Sequence, residues 1–158
     1  MVINLAATFQ WSESNGAGET VTDGISNLNF GSIDTPNITP SANPIPAGNN
    51  SFEKWARGRF SGTFTSVANL RFWKSAGAYV TGEDIKATVN ETYATPTDSA
   101  SSVATVTVPT VEGSALVPDA PVINPGYSGY ITMQLQTTGS TPPGAVNQKT
   151  FTLKYDET

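Results

Sequence analysis

The chain has 158 residues, enough for one domain with its own apolar core, and 8 Lys plus Arg against 13 Asp plus Glu give it a formal charge of −5. It contains no Cys and no His, which excludes disulfide staples, thiolate metal sites and thiol nucleophiles and removes the commonest general base and transition-metal ligand. An acidic surface is a poor partner for nucleic acid or an anionic membrane, so the expectation is a non-enzymatic protein without cofactor or metal, partnered by neither.

The start, Met1–Leu5, has no basic region and no long apolar run; it is read as lacking a signal peptide, with synthesis in the cytoplasm. A strand is expected over residues 2–11, where Ile3, Leu5, Ala7, Phe9 and Trp11 share one face and Asn4, Thr8 and Gln10 the other. Ser14-Asn15-Gly16 and Asp23-Gly24 are turn signals, and a short strand is expected near Ile25–Phe30. Residues 31–50 hold Pro36, Pro40, Pro44 and Pro46, which predicts a loop or an extended arm free to drape over a neighbouring subunit.

From residue 51 to 77 the chain reads SFEKWARGRFSGTFTSVANLRFWKSAG. Phe52, Ala56, Gly58, Phe60, Gly62 and Phe64 fall on even positions, Glu53, Trp55, Arg57, Arg59, Ser61 and Thr63 on odd ones. A long strand with aromatics and glycines inward and Trp55, Arg57 and Arg59 outward is predicted, each glycine either packed over by a neighbour or marking a bulge. Val67–Trp73 is a second strand, turned at Ser75-Ala76-Gly77. Alternation returns at residues 83–93 (Ile85, Ala87, Val89), after which the chain passes into Val103–Val108. A second loop carries Pro109, Pro118, Pro121 and Pro125. The strand Tyr127–Thr137 (Ile131, Met133, Leu135), a turn at Pro142-Pro143-Gly144 and a last strand, Gln148–Asp156 (Phe151, Leu153, Tyr155), complete the chain.

About eight strands, each with one apolar face, and two long Pro-rich loops predict an all-β fold. The architecture expected is an antiparallel β-sandwich, jelly-roll or Ig-like, forming a single domain over residues 1–158. The first and last strands are candidates to pair with each other.

The chemistry-bearing groups are few. Glu83-Asp84 and Asp156-Glu157 are adjacent carboxylates, which on a strand point to opposite faces, and Asp23, Asp34, Asp98 and Asp119 lie in loops without the DxDxDG spacing of a calcium loop. Gly16, Gly18 and Gly24 match no phosphate-binding loop. The cluster that stands out is Trp55, Arg57 and Arg59 with Arg71 and Trp73, because aromatic rings beside Arg are typical anchors of protein interfaces. A carbohydrate-binding module is the reading from another class, with Trp11, Trp55, Trp73, Tyr79 and Tyr130 as its platform.

The block FEKWARGRFSGTFTSVANLRFWK (Phe52–Lys74), the strand opening at Asn124-Pro125-Gly126-Tyr127-Ser128 and the terminal FTLKYDE resemble tailed-phage virion structural proteins, above all small capsid decoration (cement) proteins. The resemblance is one of texture across most of the chain and carries over no single functional residue. It implies a non-enzymatic protein that binds and stabilises the outer face of a bacteriophage capsid, located in the virion. Its partners would be the major capsid protein or other virion subunits, and it would often be a homo-oligomer such as a trimer. A tail, neck or fibre component is the alternative within the same class.

Overall fold

The computed structural model describes residues 6–99, 104–118, 122, 125–144 and 147–158. In chain order it contains β1 (Ala7–Asn15), β2 (Thr20–Asp23), β3 (Lys54–Gly62), β4 (Val67–Ala76), β5 (Glu83–Asn90), β6 (Val106–Thr107), β7 (Gly126–Tyr127), β8 (Tyr130–Thr137) and β9 (Thr150–Glu157). One 3-10 turn, Glu112–Ser114, follows β6, and the described residues contain no α-helix. The expectations at Ile3, Leu5, Val103, Asp119, Pro121 and Asn124 fall outside the described residues.

The strands form the expected antiparallel sandwich but divide seven and two. The larger sheet runs β2-β1-β3-β8-β5-β6, with β7 also on β3; the smaller is β4-β9. Jelly-roll and Ig sandwiches split more evenly. The free edge of β4 gains two bridges from the second Pro-rich loop, Phe72 with Leu116 and Val67 with Val122. The first and last strands do not pair. β1 lies between β2 and β3, and β9 on β4. They meet across the core instead, where Phe9 and Tyr155 stack at 6.3 Å and Ala7 N donates to Glu157 Oε1 at 2.9 Å.

The alternation read from the sequence supplies the inner face. Ala56, Ile85, Ala87, Ile131, Met133 and Leu135 meet Phe72 in one core, and Phe60 meets Val67, Leu70 and Val122 in the adjoining one. Each fully buried Phe, Ile or Leu contributes about 1.5–3 kcal/mol. Gly58 is the glycine that a neighbour packs over: a Cβ there would lie 3.0 Å from Phe60, 3.1 Å from Leu153 and 3.1 Å from Phe9. Gly62 ends the strand at φ +98°. Gly58→Val should therefore cost about 1–3 kcal/mol by overpacking. The denaturant midpoint reads this, and an unchanged midpoint would mean that the three neighbours part freely.

The stretch Ile25–Phe30 is not a strand. Ile25 N bonds Trp11 O at 3.1 Å, but Asn29 N goes to Asn27 Oδ1 at 3.1 Å and Ser26 N to Asn37 Oδ1 at 2.7 Å, side-chain bonds that compete with a sheet ladder. Its apolar residues are still used, since Leu28 and Phe30 pack on the first core together with Ile45. Nor is 31–50 an arm reaching away from the body. Ile38 is buried, Asn43 N bonds Thr39 O, and Phe52 N bonds Gly31 O. This loop covers inner-face area that a two-stranded sheet is too narrow to cover. Deleting residues 36–47 would strip part of the core, so the deletion is not a neutral probe of assembly.

Candidate functional site

Each predicted anchor has a definite place, and the cluster does not hold together as one patch. Arg57 and Arg59 point from the outer face of the large sheet, while Arg71 and Trp73 belong to β4 in the small sheet, between the buried inner positions Leu70, Phe72 and Lys74. The two halves thus lie on opposite sides of the sandwich. Trp55 has the outward parity expected of it but is only 1% exposed. The segment after β5 crosses over it: Tyr93 meets its ring edge-on at 5.3 Å, Tyr130 at 5.6 Å. Glu53 N bonds Thr97 O, and Gln134 Nε2 reaches Thr97 O and Ser99 O. The platform needed for sugar stacking is lost with it. Trp55 and Tyr130 are buried, and Trp11 and Tyr79 pack on the core.

What remains on the outer face is a compact patch built by β1, β2, β3 and β7. The hairpin between β1 and β2 turns at Gly16 (φ +73°) and Glu19 (φ +51°), which brings Glu19 and Asp23 beside β3. The Arg57 guanidinium carbon lies over two rings, 4.1 Å from the centre of Tyr127 and 4.6 Å from that of Tyr130. Its Nη2 is 3.7 Å from Glu19 Oε1, and its Nε is buried without a hydrogen-bond partner. Tyr130 donates its hydroxyl to Glu19, which also accepts from Ser14 Oγ at 3.1 Å. Beside this, Arg59 Nε pairs with Asp23 Oδ2 at 3.1 Å and its Nη1 donates to Gln10 Oε1 at 3.0 Å. Tyr127 donates its hydroxyl to Asp23 at 3.1 Å, and Ser12 Oγ donates to the same carboxylate at 2.7 Å.

These contacts hold the patch in one arrangement. Stacking of the guanidinium on a ring contributes about 0.5–2 kcal/mol, and the half-exposed Arg59–Asp23 pair about 0–1 kcal/mol. Tyr127, 37% exposed, and Val21, 39% exposed, flank it as the apolar surface offered outward. Burial raises the Tyr130 phenol, and its hydrogen bond to Glu19 adds to this; burial also raises Tyr93, reinforced by the charges of Asp34 and Glu19. Neither supplies a phenolate at neutral pH.

Two other clusters are structural. Tyr79 is pushed up to about 12 by burial, then by the charge of Asp84, and its ring lies under Lys74 and Lys149 at 4.8 and 5.5 Å. Lys149 pairs with buried Glu83 at 2.6 Å. An open groove of about 540 Å³ beside Asp84, Lys86 and Thr138 is bordered by the pair Lys86–Asp84 at 2.6 Å. Among the described residues no group of carboxylates is arranged to hold a metal ion.

Tyr127 was legible as a strand opening but not as an anchor. The signal that finds it is register: Tyr127 stands opposite Arg59. Compared with known protein families, curated proteins and solved structures, the chain matches none.

Proposed function

We propose that the chain is a non-enzymatic structural protein that binds and stabilises the outer surface of a bacteriophage capsid, with the Tyr127–Arg57–Arg59 patch as its contact with the shell. The observation that carries the binding half of this reading is the patch itself. It joins an exposed Tyr, two Arg held by carboxylates and an exposed Val on a rigid sheet, the composition of interface anchors with little order left to lose on docking. The capsid half rests on the sequence texture described above.

Quantitative mass spectrometry of purified particles tests the capsid half, with the copy number expected to be comparable with that of the major capsid protein. A small fraction of that number would move the protein to the tail or a fibre, and complete absence would retire the virion reading. For the binding half, rebinding of Tyr127→Ala to particles stripped of the protein should be weaker by about 2 kcal/mol or more, roughly thirtyfold, with stability lowered by no more than the roughly 0.5–2 kcal/mol of the lost Arg57 stacking. Full-strength rebinding would remove the patch from the interface.

A further inference from the structure

Three reactive side chains that no part of the outer-face patch uses meet inside the sandwich. Residues 13 and 15 alternate onto the inner face of β1, and continuing the register beyond Ser14↔Trp55 sets Lys54 of β3 opposite Asn15. Glu13 is 0% exposed, Lys54 1% and Asn15 7%. One oxygen joins them: Glu13 Oε1 accepts from Lys54 Nζ at 2.8 Å and from Asn15 Nδ2 at 3.0 Å. Asn15 Nδ2 donates also to Asp34 Oδ1 at 2.7 Å, and Lys54 Nζ to Thr35 O at 2.8 Å, so the first Pro-rich loop closes the site. Glu13 Oε2 and Asn15 Oδ1 are buried without a hydrogen-bond partner among the described residues.

An amine, a carboxamide and a carboxyl that touches the nitrogen of each are the parts needed to exchange one amide for another. We infer that Lys54 and Asn15 become joined by an intramolecular isopeptide bond, with Glu13 as the acid–base group of the reaction.

The step balances without an external reagent. Lys54 Nζ passes a proton to Glu13 along their hydrogen bond, which turns a buried ion pair into a neutral amine and a neutral acid and removes the desolvation penalty of two charges. The neutral Nζ attacks Asn15 Cγ. The Nζ–Cγ bond forms, Glu13 hands its proton to Nδ2 and takes one from Nζ, and the Cγ–Nδ2 bond breaks. Nδ2 leaves as ammonia, and a secondary amide remains. Nothing is oxidised or reduced. Burial holds Glu13 above the ordinary glutamate range, against the opposing pull of Lys54, and so favours the protonated form that the leaving nitrogen requires. The product ties β1 to β3 across the loop 15–54, the constraint that a disulfide supplies elsewhere and that a chain without Cys cannot form. This inference is independent of the partner assigned to the outer face.

The test is the intact mass of the purified full chain, measured unfolded. The expected mass is that of the sequence less one ammonia, with peptide mapping recovering a branched peptide that joins the segments holding Asn15 and Lys54. Lys54→Arg and Glu13→Ala should both return to their full sequence masses. A wild-type chain at full sequence mass overturns the inference whether or not either variant folds. Ammonia loss found only in linear peptides overturns it too, because that is cyclisation of an Asn. Persistence of the branched peptide in Glu13→Ala would remove the role given to Glu13.

Discussion

Trp55→Ala is expected to lower the unfolding free energy by about 3–5 kcal/mol, the range for deleting a fully buried large aromatic. Domains of this size are stable by about 5–15 kcal/mol, so the loss is a large fraction of the total. The mechanism is specific to the outer face. Trp55 is the floor on which Tyr93 and Tyr130 rest edge-on, and its Nε1 donates to Glu53 Oε2 at 3.1 Å, the oxygen that also accepts from Thr97 N at 3.3 Å. Removing the indole leaves a cavity, unstacks both rings and frees part of Glu53 beneath the crossing segment. Denaturant unfolding reads the stability, and limited proteolysis reads the segment at residues 91–99, which should become the first site of cleavage. A cost below about 1 kcal/mol, the level of an exposed side chain, would mean that the crossing segment does not cover Trp55 in solution. Trp55→Phe keeps an aromatic floor and should cost less.

The same residue marks where reading the sequence stops. Period-two alternation identifies which side chains share a face, and Phe9, Ala56, Phe60, Ile85, Ile131 and Leu153 are inside as that rule requires. The rule says nothing of what lies over the other face. Parity puts Trp55 on the outer side of β3, where it stands, but does not show that it is covered, because its cover is an irregular segment with no periodic signature. Arg71 and Trp73 are close to Arg57 and Arg59 in sequence and were grouped with them, yet β3 and β4 belong to different sheets. A connection of a few residues can carry a chain from one layer to the other without any mark in composition. The prolines mark the first Pro-rich loop as non-strand, but the cover over the core comes from Ile45 in that loop together with Leu28 and Phe30 in the stretch before it, three apolar residues in no regular pattern.

The inner cluster was more legible than the outer one, by a signal not used. Glu13 continues the apolar face Ala7–Phe9–Trp11, and Lys54 continues the apolar face Phe60–Gly58–Ala56. Opposite charges at inward parity on two strands imply that they meet, since either alone could not be buried cheaply. Parity thus carries chemistry as well as packing. The carboxylates chosen on adjacency, Glu83-Asp84 and Asp156-Glu157, divide between faces as expected and meet separate partners: Lys149 and Lys86 for the first pair, the Asn69 amide and Ala7 N for the second.

In an Asn15→Ala background, where Lys54 stays a free amine, Lys54→Met should be as damaging as the loss of Trp55, about 3–5 kcal/mol at neutral pH, because it leaves Glu13 buried beside Asp34 with its cation gone. The pH dependence separates this from simple loss of packing. Burial already raises Glu13 above 4.5, and of the groups facing it Lys54 lowers it, by charge and by hydrogen bond, Asn15 lowers it and Asp34 raises it. Taking Lys54 away removes the largest opposing influence, so the folded-state value climbs further. A carboxyl whose folded value lies above its unfolded value binds protons more readily when folded, and stability then falls as pH rises. The contribution is fully present below the unfolded value near 4.5 and is lost as pH climbs through the raised folded value. Lys54→Met should therefore recover stability on mild acidification, with a steeper slope than its Asn15→Ala parent in the same window. Denaturant unfolding at a series of pH values measures both slopes. Parallel slopes in the two proteins would show that Lys54 does not govern the proton on Glu13.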